Sequence, residues 1–255
     1  MMRFASLGSG SQGNALVVEA GRTRVLLDCG FGLKDIKARL ARHGLEADDL
    51  DAIIVTHEHD DHVGGVSRLA QKHEIPVYLT YGTLTALEGA RSDMAQITVI
   101  DSHTPFAIGD IEARPYPVPH DAREPAQFVF SDGRASLGVL TDAGSSTPHI
   151  ESMLSGLDAL VLECNHDRDL LANGSYPPYL KQRIGSRFGH LENGTAAQLL
   201  ASLDCSRLQH LVAAHLSQQN NTPELARTAM ARVLNCTPDW IGVADQQNGF
   251  AWRDI

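Results

Sequence analysis

The feature of this sequence that most constrains the fold is a cluster of candidate metal ligands directly after an apolar segment. The residues DAIIVT (51–56) predict a buried strand, and HEHDDH (57–62) follows it without a break. Imidazole and carboxylate groups are ligands that zinc, manganese, iron and cobalt accept, and burying them without a cation would cost hydration for no gain. The alternative is a polar loop whose histidines only cap the next helix. We expect metal binding by His57, His59, Asp61 and His62.

The spacing of these four residues predicts two metal positions. His57 and His59 are two residues apart and can face the same ion. Asp61 and His62 come after the chain has turned and can face a second ion nearby. The glycine pair that follows the motif indicates a tight turn, which would hold the ligands at an open rim of the fold.

Strand and helix patterns alternate along the rest of the chain. Strands are predicted at 15–20, 23–28, 51–56, 76–80, 97–101, 110–118, 126–131, 135–141, 159–163, 208–214, 240–244 and 249–253. Helices are predicted at 33–43, 66–72, 83–90, 148–154, 177–184, 194–203 and 223–234. Because no repeat or linker interrupts this series, we expect a single hydrolase domain over residues 1–255. The pattern indicates an α/β fold with mixed sheets covered by helices.

Composition narrows the class of protein. The chain has 31 acidic and 21 basic residues and a net charge of −10, which excludes a protein that coats nucleic acid through bulk positive charge. A nuclease is not excluded, because bound divalent metals and a local basic patch can hold a phosphate. The four cysteines lack CxxC spacing and are expected to be free thiols. The start of the chain lacks an apolar signal core and no long apolar run follows, so we expect a cytoplasmic protein without membrane contact.

Four motifs resemble the metallo-β-lactamase superfamily in order and spacing. THEHDDHVGG (56–65) resembles its THxHxDHxGG signature, and TRVLLDCG (23–30) resembles the strand and Asp-x-Gly turn found early in that superfamily. VPHD (118–121) and VLTDAG (139–144) resemble its later histidine and aspartate motifs. The resemblance implies a four-layer αββα sandwich, in which two mixed sheets are flanked by helices.

The same resemblance implies a set of seven metal ligands. One ion would be held by His57, His59 and His120, the other by Asp61, His62 and His215, with Asp142 bridging the two. His190 and His210 compete for the place of His215. AAHLS (213–217) resembles the strand-end histidine of RNase Z-type members, so His215 is our prediction.

Much of the chain resembles one branch of the superfamily, the YycJ/WalJ type, whose members are nuclease-like phosphodiesterases or uncharacterised hydrolases. The matching motifs are GSGSQGNA (8–15), PHDAREPAQFVF (119–130), LECNHD (162–167), LKQRIGSRFGHLENGTAAQLL (180–200) and AHLSQQNNTPELA (214–226). Glu192 departs from the serine that usually follows GHL in this branch. The glycine-rich motif matches no phosphate-loop pattern and is interpreted as a turn between strands, with Ser11 and Asn14 able to border the site.

The resemblance implies a metal-dependent hydrolase, an exonuclease-like phosphodiesterase whose hydroxide bridges two divalent ions. Zinc is the first choice, with manganese and iron open, since nitrogen and oxygen donors do not select among them. The expected substrate is nucleic acid or a small phosphodiester, and the oligomeric state is left open, with a homodimer as one option. The alternative function is hydrolysis of a small ester, lactone or thioester on the same site. A metal-binding protein without catalysis has no support, because every ligand position is filled.

Further residues are expected around the metals. Glu163 and His190 resemble the pair that protonates the leaving oxygen in RNase Z-type enzymes, the alternative being a structural hydrogen bond. Asp61 is counted as catalytic as well as a ligand. Residues predicted to contact the substrate phosphate are Arg183, with Lys181 and Arg187 beside it, and Ser217 and Asn220 beyond His215. A solvated helix face explains the three basic residues equally well.

Overall fold

The computed structural model describes residues 1–87 and 96–255, so the predicted helix at 83–90 lies partly outside the described residues. Two seven-stranded sheets form the centre of the fold. The first has the order β14-β1-β2-β3-β4-β5-β6, with β1 (Met2–Gly8), β2 (Ala15–Ala20), β3 (Thr23–Leu27), β4 (Ala52–Ile54), β5 (Val77–Thr80), β6 (Ile97–Ile100) and β14 (Phe250–Asp254). The second has the order β13-β12-β11-β10-β9-β8-β7, with β7 (Phe106–Ile108), β8 (Ile111–Pro117), β9 (Ala126–Ser131), β10 (Ser136–Leu140), β11 (Ala159–Glu163), β12 (His210–Ala214) and β13 (Gly242–Val243).

Both sheets are mixed, in the same way. In the first sheet, the strands β14-β1-β2-β3 pair antiparallel, and the strands β3-β4-β5-β6 pair parallel. In the second sheet, the strands β7-β8-β9-β10 pair antiparallel, and the strands β10-β11-β12-β13 pair parallel. The parallel part of each sheet therefore brings the carboxyl ends of several strands to one edge. This arrangement places the functional site.

Nine α-helices accompany the two sheets in the described residues. They are α1 (Leu33–Arg42), α2 (Asp60–Val63), α3 (Val66–His73), α4 (Tyr81–Ala86), α5 (Pro148–Leu154), α6 (Arg168–Asn173), α7 (Pro178–Ile184), α8 (Asn193–Ser202) and α9 (Pro223–Leu234). Apolar side chains of α1, α3 and α4 pack on the first sheet, and those of α5, α8 and α9 pack on the second. The four layers confirm the predicted αββα sandwich.

A central core lies between the two sheets, and because the strands are apolar on both faces, a further apolar cluster lies between each sheet and its helices. In β2, Val18 packs between the sheets while Val17 faces the helical layer, as the period of two in a strand requires. Phe4 of the first sheet and Phe128 of the second are fully buried in the shared central core. Each such side chain contributes roughly 1.5–3 kcal/mol through burial. The sandwich is therefore a rigid base for the loops at its edge.

All four cysteines are free, as predicted. No helix in the described ranges is long and apolar enough to cross a lipid bilayer.

Candidate metal centre

Three histidines from two distant parts of the chain meet at the edge of the sandwich. His57 and His59 follow β4, and His120 follows β8. The Nδ1 atom of His59 lies 3.0 Å from Nε2 of His57 and 3.2 Å from Nε2 of His120. The structure thus brings together the three residues predicted to hold the first ion.

A second group lies beside the first. Nε2 of His215 lies 3.4 Å from Oδ2 of Asp61, and Nε2 of His62 lies 3.6 Å from the same oxygen. One ligand atom from each of these residues fits within a 4.8 Å cluster, as does one from each of the three histidines above. His210, which competed with His215 in the sequence, instead directs Nε2 at the backbone oxygen of Asp254.

Asp142 lies between the two groups, at the turn after β10. Its Oδ2 is 3.1 Å from Nε2 of His62, and its Oδ1 is 3.6 Å from Nε2 of His215 and 3.9 Å from Nε2 of His120. The two oxygens of one carboxylate therefore reach histidines of both groups, which is the position that a bridging ligand needs.

The chemistry of this donor set fits metal ions. Within the described residues, Oδ2 of Asp142 is buried and makes no hydrogen bond, an arrangement that costs free energy unless a cation is bound there. Three ring nitrogens also converge at His57, His59 and His120, with Nδ1 of His59 within 3.0–3.2 Å of Nε2 of the other two, and together they can bind one cation. Nitrogen and carboxylate oxygen donors at this spacing are typical of divalent metal sites. The fold and these clusters together identify the chain as a binder of divalent metal.

Hydrogen bonds behind the cluster orient its histidines. Asp28, directly after β3, accepts hydrogen bonds from Nδ1 of His62 at 2.7 Å and from the hydroxyl of Thr56 at 2.8 Å. The Thr56 oxygen in turn accepts from Nδ1 of His57 at 2.9 Å. Nδ1 of His120 donates to the backbone oxygen of Gly189 at 3.1 Å. With Nδ1 protonated in all three rings, Nε2 is the nitrogen of each ring that faces the centre and would bind a cation.

Two asparagines also touch the cluster. Asn14 lies in the turn between β1 and β2, and its Nδ2 is 3.0 Å from Nε2 of His62 and 3.3 Å from Oδ2 of Asp61. Asn14 therefore borders the site, the position expected from the sequence. Asn165 was not predicted: its Nδ2 donates to the backbone oxygen of His215 at 3.0 Å. The only sequence signal for Asn165 was its position in the LECNHD motif.

Three residues of the site have a left-handed backbone. The φ angles are 60° for Asp28, 53° for Asp142 and 55° for His215, and each residue stands just after the end of a strand. Side chains other than glycine rarely adopt this conformation, and such strain is often found at functional sites. Here it turns the side chain of each residue into the cluster as the strand ends.

Burial and neighbouring charges act in opposite directions within the cluster. Burial lowers the pKa of His57 well below its usual value, and the adjacent His62 adds to this. Burial acts likewise on His62, but the carboxylates of Asp142 and Asp28 outweigh it and raise the pKa of His62 well above its usual value. For Asp142, burial opposes ionisation, yet His215 and His62 hold its pKa well below the usual value. Asp142 is therefore ionised at neutral pH, the form that binds a cation.

Glu163 and His190 meet beside the cluster, as the sequence predicted. Oε1 of Glu163, the last residue of β11, accepts a hydrogen bond from Nδ1 of His190 at 2.8 Å, and its Oε2 accepts from the backbone amide of Ala143 at 2.9 Å. Although burial opposes ionisation, the charge and hydrogen bond of His190 lower the pKa of Glu163 to about 2. Burial also disfavours charged His190, but Glu163 outweighs it and raises the pKa of His190.

An open cavity of about 390 Å³ lies over the cluster. Asp61, Asp142 and His215 form part of its wall, and residues between 176 and 190 form another part. Arg183 is in this second part, and its Nε donates a hydrogen bond to Oδ2 of Asp121 at 2.6 Å. The cavity is the place where a substrate would meet the metal ligands.

Several predicted substrate contacts lie elsewhere. Ser217 and Asn220 are both buried and are hydrogen-bonded to each other, and neither lines this cavity. Lys181 donates to the backbone oxygen of Ala172 and lines a neighbouring cavity of about 430 Å³. Arg183 is thus the predicted phosphate contact that the structure places at the centre.

Comparison with known proteins identifies close relatives. A sequence model described as the β-lactamase superfamily domain matches residues 23–215. Exodeoxyribonuclease YycJ of Bacillus anthracis is 36% identical over 237 residues, which cover 91% of this chain and 89% of that protein. Exodeoxyribonuclease WalJ of Streptococcus pneumoniae is 34% identical over 245 residues, which cover 94% of this chain and 91% of that protein.

A solved structure shows the same fold. The metallo-β-lactamase fold protein YhfI of Bacillus subtilis superposes with a TM-score of 0.78 at 17% identity, and the match covers 100% of both chains. At this level of identity, the similarity concerns the arrangement of the sheets and helices.

Proposed function

The chain belongs to the YycJ/WalJ branch of the metallo-β-lactamase superfamily, and we propose that it is an exodeoxyribonuclease working at a dinuclear metal centre. It is a metal-dependent hydrolase of phosphodiester bonds, as expected from the sequence. Two relatives that match it over nine-tenths of their length or nearly so carry the name exodeoxyribonuclease, which supports DNA as the substrate.

The observation that carries this proposal is that seven side chains form two adjacent clusters, with Asp142 between them, at an open cavity. We assign His57, His59 and His120 to one ion, Asp61, His62 and His215 to the other, and Asp142 to both. Bound there, two divalent ions, with zinc as the first candidate, would supply Lewis acidity for the phosphate and lower the pKa of a water molecule.

The residues of the chain supply proton transfer. Because Nδ1 of His190 is held by Glu163, its Nε2 is the nitrogen left to give a proton to the departing oxygen. The buried carboxylate of Glu163 orients the ring and keeps it protonated, since it raises the pKa of His190. We therefore assign His190 as the general acid and Glu163 as the residue that positions it.

Arg183 supplies the cation for the phosphate. Its side chain is 60% exposed at the cavity wall, so it can turn toward a ligand with little loss of packing. Asp121, which it contacts, holds the guanidinium at the cavity wall close to His59 and His120. A planar guanidinium binds phosphate through two parallel hydrogen bonds.

The test is a substrate panel with matched variants. Metal-loaded protein is incubated with single- and double-stranded DNA, RNA and bis(p-nitrophenyl) phosphate, and in parallel with thioesters and lactones. We expect the wild type to release nucleotides from DNA ends. His57→Ala and Asp142→Ala each remove one proposed metal ligand, and we expect the rate of DNA hydrolysis to fall by at least about 100-fold in both. His149→Ala, which replaces an exposed histidine outside the site, is the control. Hydrolysis of carboxylic esters alone, or full activity in both ligand variants, would contradict the proposal.

A further inference from the structure

Two aromatic rings are exposed on the segment of the chain that walls the cavity. The side chain of Tyr179 is 73% exposed and that of Phe188 is 44% exposed. A single exposed ring is ordinary on a protein surface, whereas exposed rings that stand beside a functional site commonly mark a binding surface. Neither ring takes part in the metal cluster or in the proton transfer assigned above.

Both rings belong to the segment that walls the cavity. The segment from 176 to 190, called here the α7 segment, contributes Tyr176, Leu180, Arg183, Ile184, Gly189 and His190 to the cavity lining. Tyr179 is the residue before Leu180, and Phe188 is the residue before Gly189. Each exposed ring is therefore adjacent in the chain to a residue of the cavity wall, Tyr179 in the first turn of α7 and Phe188 in the loop after it.

The α7 segment is positively charged in an acidic chain. It contains Lys181, Arg183 and Arg187 and no acidic residue, whereas the whole chain has a net charge of −10. The guanidinium of Arg187 lies 4.7 Å from the centre of the Phe188 ring. Arg183 follows Tyr179 by four residues on α7, so the two side chains share one face of the helix. A cation thus accompanies each exposed ring.

We propose that the α7 segment binds unpaired nucleotides of the DNA strand that enters the cavity. This inference rests on the proposed nuclease function and adds the form of the substrate. One base stacks on Tyr179 and another on Phe188, while Arg183 and Arg187 contact the phosphates beside them. Alternation of aromatic and cationic side chains is the arrangement that proteins use for single-stranded nucleic acid.

The chemistry of the rings favours an unpaired strand over a duplex. In a double helix, the faces of the bases are already stacked on one another, and a flat aromatic side chain cannot reach them without opening the helix. In a single strand, every base can offer a π-face, so stacking works for any sequence. Although the whole chain is acidic, the α7 segment is positively charged at the cavity and can therefore attract the negatively charged DNA strand.

Binding is tested directly, without cleavage. A fluorescent single-stranded oligonucleotide with phosphorothioate linkages and the duplex of the same sequence are titrated with the metal-loaded wild type, Tyr179→Ala and Phe188→Ala. We expect each alanine variant to bind the single strand roughly 5- to 100-fold more weakly, as measured for loss of one stacked base, and the duplex within about twofold of the wild type. Trp240→Ala removes a ring that is 40% exposed on the 3₁₀ turn Pro238–Trp240 and is the control. Unchanged single-strand binding in both α7 variants overturns the proposal.

Turnover separates this surface from the metal centre. Hydrolysis of bis(p-nitrophenyl) phosphate, which has no nucleobase, is expected to remain within about twofold of wild type in both variants. Tyr179→Phe keeps a ring and should restore single-strand cleavage. An equal loss on the small diester and on DNA would show that the rings shape the centre and would overturn the proposal.

Failure of the proposed function gives a different result. If the wild type hydrolyses no phosphodiester, the nuclease assignment fails, whereas the oligonucleotide titration still reports on the α7 segment. If the wild type degrades DNA and the ring variants bind and cleave single strands like the wild type, only the α7 proposal fails.

Discussion

His190 and Glu163 form a hydrogen bond of 2.8 Å between a ring at the cavity wall and a fully buried carboxylate. The ring belongs to the loop after α7 and the carboxylate to the end of β11, so this hydrogen bond fastens the loop to the sheet. The same carboxylate accepts the amide of Ala143, next to the ligand Asp142. One buried group therefore connects the proposed acid to the proposed metal centre.

Replacing His190 should affect substrates according to their leaving group. An alkoxide leaves slowly unless it is protonated, whereas p-nitrophenolate leaves without help. We expect His190→Ala to lower kcat by roughly 100- to 10,000-fold on DNA and by less than about tenfold on bis(p-nitrophenyl) phosphate. Steady-state kinetics on the two substrates measure the difference.

Glu163→Gln is the companion variant, since it keeps the shape and removes the charge. It should also lower kcat more on DNA than on bis(p-nitrophenyl) phosphate, but by less than His190→Ala does, because the His190 ring stays in place and is only less readily protonated. If His190→Ala slows both substrates equally, His190 has a structural role and not that of an acid.

Sequence alone predicted the local part of the site. HEHDDH places its ligands within six positions, so their proximity follows from covalent geometry. His120, Asp142 and His215 lie far away in the chain, and their approach depends on which strand ends share an edge; they were reached only through the family resemblance. The structure brings all three to the cluster, and their role as ligands remains a prediction.

The direction of side chains beyond a turn was harder to predict. Ser217 was placed at the phosphate because it follows His215 closely in the chain. The positive φ of His215 turns the backbone there, and the amide of Ser217 donates to the backbone oxygen of Asn165, so that its side chain is buried in the loop. Closeness in sequence does not determine direction after a turn of this kind.

The predicted secondary structure was accurate where periodicity was strong. The strand at 15–20 and the helices at 148–154 and 223–234 have the predicted bounds. β1 and β7 were missed. β1 is buried on both faces and includes Ser6 and Gly8, so it has no polar alternation, and β7 has only three residues. Both strands are stabilised by pairing with neighbouring strands, and a local sequence pattern does not show that pairing.

Removing Arg183 should weaken substrate binding more than turnover. A hydrogen bond between charged groups contributes about 1.5–3 kcal/mol, and the exposed position of Arg183 favours the lower end, so Arg183→Ala should raise KM for DNA roughly tenfold with kcat changed less than about threefold. Arg232→Ala, on the last turn of α9, is the matched control. A fall in kcat with unchanged KM would place Arg183 in the transition state instead.

Asp28 should control metal affinity without touching the metal. Its carboxylate orients His62 through the 2.7 Å hydrogen bond and also accepts the amide and the hydroxyl of Thr56. Such outer partners typically change metal affinity by about 10- to 100-fold, so we expect a loss of that size in Asp28→Asn. Competition with a chelator measures it, and Asp35→Asn on α1 is the control. Equal affinity in the wild type and Asp28→Asn would contradict the assignment of His62 as a ligand oriented by Asp28.

The stability of the first sheet should depend on pH through Glu19. This side chain on β2 pairs with Arg3 of β1 at 2.7 Å and with Arg24 of β3 at 2.6 Å. Burial opposes ionisation, but the two arginines outweigh it and lower the pKa of Glu19 below 4.5. A pKa that is lower in the folded state gives stability that is present above the unfolded value and lost as the pH falls through the folded value.

Glu19→Gln should therefore lower the free energy of unfolding at pH 7 by up to about 1 kcal/mol, the upper range for pairs near the surface, or roughly 2–4 °C in Tm. The difference from the wild type should shrink as the pH falls below 4.5, because both proteins then carry a neutral group at this position. Thermal unfolding followed by circular dichroism at several pH values measures it, with the exposed Glu112→Gln as control. The metal ligands contribute the same acid sensitivity to both proteins, so it cancels in the difference between the wild type and Glu19→Gln. A difference in the free energy of unfolding that stays constant down to the lowest pH would show that Glu19 stabilises the sheet through packing and not through charge.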